Sequence, residues 1–184
     1  MTAAHTIFTI GHSTRSFEAF VAALKAAGVD CVADVRRFPH SRRHPQFEGA
    51  TLEAALPAQA IAYRHFAALG GRRGRAAVGA SRNALWRETA FRNYADYAET
   101  PEFHAALAAL RRLARERTVA VMCAEAVWWR CHRRIIADYL IAAGERVVHI
   151  LDEGKLEPAR LTQGAQPGAD GTVLYPGAEP ELPL

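Results

Sequence analysis

The sequence predicts an α/β domain with a mainly parallel sheet and helices on both of its faces. Three observations lead there. Short apolar runs alternate with segments of helical period along the chain. The run Val119-Ala-Val-Met-Cys is apolar at every position, as expected of a strand buried on both faces. Finally, 184 residues, half of them hydrophobic and 23% charged, suit one domain that buries roughly 70% of its unfolded surface.

The elements follow in order. Ile7 to Ile10 reads as the first strand and ends at Gly11-His12-Ser13. Ser16 is a good N-cap for a helix whose Phe17, Phe20, Val21 and Leu24 share one face, and Gly28 closes it. Cys31 to Val35 is the second strand, running into Arg36-Arg-Phe-Pro-His-Ser-Arg-Arg. A short helix over 51–56 stops near Pro57, and 61–66 reads as the third strand. Leu69-Gly-Gly-Arg-Arg-Gly-Arg is a loop. Two helices come next, one carrying Phe91, Tyr94 and Ala98, the other opening at Thr100 with Pro101 in its first position. After Val119–Cys123 a loop leads to a helix over 131–143, with Ile135, Ile136, Tyr139 and Leu140 inward and Gly144 at its end. Val147 to Leu151 reads as the last strand. Residues 1–151 are therefore taken as the α/β domain. Residues 152–184, where Gly and Pro accumulate, are expected to form an irregular tail that packs on it through Val173-Leu-Tyr-Pro.

No apolar run approaches the ~20 residues that cross a bilayer, so no membrane association is expected. The first residues lack a basic segment followed by an apolar core, and three cysteines do not make a disulfide framework. A cytoplasmic protein with free thiols is the expectation. The net charge of +4 and pI near 9.2 lean toward anionic partners. Arginine dominates the basic set, and its planar fork suits phosphate and carboxylate.

In open α/β sheets, sites form beyond the carboxyl ends of the strands. Those ends carry His12 and Ser13, then Asp34 and Arg36, then Cys123 and Glu125, while Arg130, Cys131, His132, Arg133 and Arg134 surround the next helix start. The sequence thus predicts one pocket. Arginines at a helix N-terminus oppose the macrodipole unless an anion lies between them, so this start is a candidate anion cradle. The plainer alternative has Arg130 and Arg134 in solvent or paired with Asp138 or Glu125.

Cys123, Glu125, His132 and His12 are the candidate reactive groups; Ser13, Asp34, Arg36, Arg130, Cys131 and Arg133 are the candidate substrate-binding ones. Loop amides and arginine would acidify the Cys123 thiol, unless it is an inert core cysteine like Cys31. Glu125 is either an acid/base or an arginine partner, and His12 either an acid/base or a turn cap. Zinc would find Cys123, Cys131, His132 and His12, but they lack the short Cys-x2-4-Cys knuckle. Neighbours such as Cys131 and His132 on a helix also point about 100° apart. No metal and no other cofactor is expected. The leading expectation is an enzyme for a small anionic or phosphate-bearing substrate. The alternative is a nucleic-acid-binding module using Arg36–Arg43, Arg72–Arg75 and the pair Trp128–Trp129.

Thr9-Ile-Gly-His-Ser13, Asp34-Val-Arg36 with Pro39 and Ser41, Tyr63, Leu69-Gly-Gly71, Cys123-Ala-Glu125, Cys131-His-Arg133 and Val148-His-Ile150 together resemble bacterial domain-of-unknown-function family 488. The likeness runs from about residue 6 to 151 and implies a compact α/β fold. A weaker likeness, to rhodanese and Cys-dependent phosphatase domains, rests on the Asp-x-Arg after an early strand and the Cys ending a buried one. It departs in its loop: six residues separate Cys123 from Arg130, and the loop holds Trp128 and Trp129 but no glycine. It therefore speaks to topology rather than activity.

Overall fold

The first strand, β1 (Thr6–Gly11), lies inside a six-stranded sheet. It pairs in parallel with β4 (Val119–Cys123) on one side and β5 (Arg146–Asp152) on the other. Beyond β4 come β2 (Cys31–Asp34) and then β3 (Ala62–His65), both parallel. A sixth strand, β6 (Lys155–Pro158), runs antiparallel along β5, giving the order β3-β2-β4-β1-β5-β6. This is a computed structural model, and it describes residues 5–75 and 79–177.

Alternation along the strands splits the core into two layers. Phe8, Ile10, Val32, Ala120 and Met122 face α1 (Phe17–Ala26) and α2 (Gly49–Ala55), against Phe20, Leu24 and Leu52. Ile7, Cys31, Ala33, Val119 and Val121 face α3 (Thr89–Ala98), α4 (Pro101–Glu116) and α5 (Arg133–Ala142), against Tyr94, Phe103, Leu110, Ile136 and Tyr139. Each such fully buried Leu, Ile or Phe contributes about 1.5–3 kcal/mol. The expected caps are present: Ser16 Oγ accepts from the Ala19 amide at 3.1 Å, and Thr100 Oγ1 from that of Phe103 at 3.4 Å.

Besides α2 starting at Gly49 rather than at 51, two differences from the sequence reading stand out. The chain after β5 is not irregular throughout. Gly154 takes φ 68°, which glycine adopts freely, and the chain turns back as β6. A hairpin of β7 (Gln166–Pro167) and β8 (Val173–Leu174) follows. Val173 and Tyr175 are fully buried, and the Tyr175 hydroxyl donates to Asp138 Oδ2 at 2.8 Å. The second difference is that α5 starts two residues late. A single 3-10 turn, Trp128–Arg130, is followed by Cys131 in an extended conformation, φ −128° and ψ 147°, so helical geometry begins only after it.

Among the described residues, no helix is long and apolar enough to cross a membrane. The parallel strands all end at one edge of the sheet, with the ends of β2, β4 and β1 side by side.

Candidate functional site

Beyond its last residue β4 stays attached to β1. The amide of His12 donates to the Cys123 carbonyl at 2.9 Å, and that of Ser13 to the Ala124 carbonyl at 3.0 Å. Only glycine permits this contact. A Cβ on Gly11 would lie 1.8 Å from the Glu125 carbonyl oxygen. The chain then folds over β1 and turns Trp128 inward, where its ring stacks on His149 with centroids 4.4 Å apart and planes 9° apart.

Arg133 grips this loop from inside. It is 1% exposed and donates to the Glu125 carbonyl at 2.5 Å, to Thr9 Oγ1 at 3.4 Å and to Cys131 Sγ at 3.4 Å. Thr9 Oγ1 in turn meets His149 Nδ1 at 2.7 Å. Burial, with Arg133 nearby, lowers the His149 pKa to about 4 and keeps the ring neutral. The expected anion cradle is thereby corrected: Arg133 is committed to the protein interior. Arg134 points elsewhere, donating to Thr162 Oγ1 at 3.0 Å, with its guanidinium 5.0 Å from the Trp86 ring centroid. Of the three arginines, Arg130 alone lines the cleft described below.

A second polar cluster lies on the α1/α2 side of the sheet. Arg36 donates to both oxygens of fully buried Asp34, and Tyr63 adds its hydroxyl to Oδ2 at 2.7 Å. Arg36 also donates to the Phe47 carbonyl at 2.8 Å and contacts His12 Nε2 at 3.4 Å. His12 Nδ1 lies 2.9 Å from the Ser13 carbonyl, so Nδ1 carries the proton and Nε2 accepts. The ring is 2% exposed and stacks on Phe47, and burial together with Arg36 lowers its pKa to about 4. His12, Ser13 and Asp34 do not line the cleft; they support Arg36, which does.

The cleft holds about 480 Å³ at the ends of β2 and β4, walled by Arg36, Arg37, Arg72, Tyr94, Glu125 and Arg130. Cys123, Cys131 and His132 also line it. Both sulfurs face one ring nitrogen: His132 Nδ1 lies 3.9 Å from Cys123 Sγ and 3.6 Å from Cys131 Sγ. The other nitrogen, Nε2, donates to the Val35 carbonyl at 3.0 Å, which leaves the Nδ1 lone pair toward the sulfurs. Gly71 makes room, since a Cβ there would lie 2.9 Å from Nδ1. The objection that Cys131 and His132 diverge by 100° holds only inside a helix, and both precede α5.

The acidic thiol is the other one from that expected. Burial works to raise Cys131, but the hydrogen bond from Cys123 and the Arg133 guanidinium beside it draw the thiol below its ordinary value. Cys123 is pushed well up, by its hydrogen bond to Cys131 and by burial. Sequence reasoning passed over the network of Thr9, Trp128 and His149. Its signal was a polar residue inside each of two apolar strands.

Neither a curated protein nor a solved structure matches the chain. The profile of the family described as "Domain of unknown function DUF488" matches residues 16–140, which span the helices and strands that build the cleft. On that match over most of its length, the chain belongs to the DUF488 family.

Proposed function

We propose that the chain is an enzyme acting on a small anionic substrate, phosphate-bearing or another oxyanion, bound above Cys123, Cys131 and His132. One observation carries this reading: three reactive side chains meet in a cleft whose charged wall, among the described residues, has four arginines and a single carboxylate, Glu125. Such a wall favours anions and orients them. Arg36 already holds Asp34, so Arg72 and Arg130 are the arginines assigned to the substrate. Glu125, exposed at the mouth, is assigned to proton transfer. A reducing cytoplasm suits three free cysteines, two of them neighbours.

Calorimetry with inorganic phosphate tests the reading. Arg130→Ala and Arg72→Ala should each weaken binding by about 1.5 kcal/mol, roughly tenfold, while Arg112→Ala on the exposed face of α4 leaves it unchanged. Equal effects at all three positions would remove the proposal. Nucleic-acid binding is the second reading, favoured by Phe38 at 60% and Trp129 at 48% exposure and by the exposed Arg37, Arg42, Arg43 and Arg72. It lacks the expected stacking pair, because Trp128 is turned onto His149. Affinity for a single-stranded oligonucleotide that falls steeply with salt would favour it, and an undetectable complex would end it.

A further inference from the structure

We propose that Cys123 Sγ, Cys131 Sγ and His132 Nδ1 form a three-ligand site for a thiophilic divalent cation, zinc by its ligand chemistry, with a fourth position open to the cleft. The three donor atoms lie within 4.8 Å of one another. A tetrahedral zinc ion bound to sulfur and imidazole nitrogen holds those atoms about 3.6 Å apart, and two such sulfurs about 3.8 Å apart. The observed sulfur–nitrogen separations are 3.6 and 3.9 Å. The two sulfur–nitrogen edges therefore match a bound ion to within about 0.3 Å, and the two sulfurs, no more than 4.8 Å apart, need to close by at most about 1 Å.

Three features prepare the site. First, the tautomer is right: Nε2 donates to the Val35 carbonyl, so the nitrogen that faces the sulfurs is the one with a free lone pair. Ligating histidines are normally fixed through their second nitrogen in this way. Second, Arg133 Nε donates to Cys131 Sγ at 3.4 Å, which holds the sulfur in place and stabilises it as thiolate. Third, two thiolates, one neutral imidazole and a divalent ion sum to no net charge, so the loaded site suits a buried floor whose cysteines are 8% and 3% exposed. Soft sulfur ligands select zinc over magnesium or calcium.

The ligand count says what kind of site this is. Structural zinc sites close with four protein ligands, whereas catalytic ones keep three and leave a position for water or substrate. Among the described residues no fourth Cys, His, Asp or Glu joins the group, and its three members line the same cleft as Arg130 and Glu125. The inference deepens the enzyme reading by giving the same site a cofactor, yet the two fail separately.

The test uses the full chain, reduced and stripped with a chelator, then titrated with cobalt(II) alone. The expected result is one equivalent bound, with tetrahedral d–d bands and a thiolate-to-cobalt charge-transfer band, both displaced by one equivalent of zinc(II). Cys123→Ser, Cys131→Ser and His132→Asn should each weaken zinc by at least ~100-fold in competition with a chromophoric chelator, and Cys31→Ser should not. The wild-type spectrum decides the matter even where a variant fails to fold. Absence of the charge-transfer band, or an equal loss in Cys31→Ser, overturns the site. Phosphate titrated into the metal-free protein separates the readings. Phosphate binding without a cobalt spectrum sinks the metal and keeps the anion cleft. A cobalt spectrum without phosphate binding, to either the loaded or the metal-free protein, keeps the metal and sinks the anion reading.

Discussion

Arg36 holds Asp34 through both carboxylate oxygens, with Nε 2.9 Å from Oδ1 and NH2 2.6 Å from Oδ2. Val35 lies between the two, and its carbonyl accepts the Nε2 proton of His132. The ion pair thus reaches the cleft floor through one peptide unit: it fixes the end of β2, which fixes the carbonyl, which fixes the imidazole. The sequence pattern Asp-x-Arg suggested a substrate grip, and the geometry makes it an internal brace.

Removing the carboxylate should show how much the brace holds. Asp34→Ala leaves the Arg36 guanidinium, 7% exposed, without its counter-charge, and breaking a buried pair this way costs about 3–5 kcal/mol. Asp34→Asn keeps the Tyr63 and Arg36 contacts in part and should cost less. Urea denaturation measures both. A loss under about 1 kcal/mol in Asp34→Ala would mean the pair does not anchor the strand end.

The cysteines should divide by position in the fold. Cys31 is fully buried between the sheet and the helical layer of α3–α5, while Cys123 and Cys131 line the cleft. In reduced, chelator-treated protein, N-ethylmaleimide should modify Cys123 and Cys131 under native conditions. Cys31 should react only through unfolding, slower by at least ~100-fold. Peptide mass spectrometry over a time course reads this directly, and Cys31 reacting at the pace of the others would contradict the core assignment.

Much of this was legible in the chain, for physical reasons. The strands and helix starts follow from hydrophobic period and from caps such as Ser16 and Thr100, which are local signals. The convergence of Cys123, Glu125, Arg130, Cys131 and His132 on one cleft followed from the rule that parallel strands end at one edge. Side-chain direction was not legible. Arg133 looked like an anion ligand because it opens a helix, but whether such a side chain turns out or in depends on Thr9 and the Glu125 carbonyl, 124 and 8 residues away. The pairing of Cys131 with His132 was obscured by treating both as helical, an error of two residues in a helix boundary. Antiparallel β6 was missed because its partner contacts lie along an edge and leave Lys155, Leu156 and Pro158 exposed, so no apolar run marks it.

His149 should make the protein sensitive to mild acid. Burial, reinforced by Arg133, holds its pKa at about 4, against about 6.5 in the unfolded chain. Between those values the unfolded state binds a proton that the folded state refuses, so the folded state loses stability as pH falls from 6.5 toward 4 and is unaffected above. The full difference amounts to about 3 kcal/mol. His12 is lowered to about 4 in the same sense, so the two add. A neutral amide at position 149 cannot take up the proton. His149→Gln should therefore be less stable than wild type at pH 8, having lost the stack on Trp128, yet should keep more of its stability on acidification. Urea midpoints of the metal-free protein from pH 8 down to pH ~4.5 compare the two slopes, and the variant's should be about half as steep over the lower range. Parallel curves would show that the acid sensitivity arises at other groups and that His149 takes its proton folded as readily as unfolded.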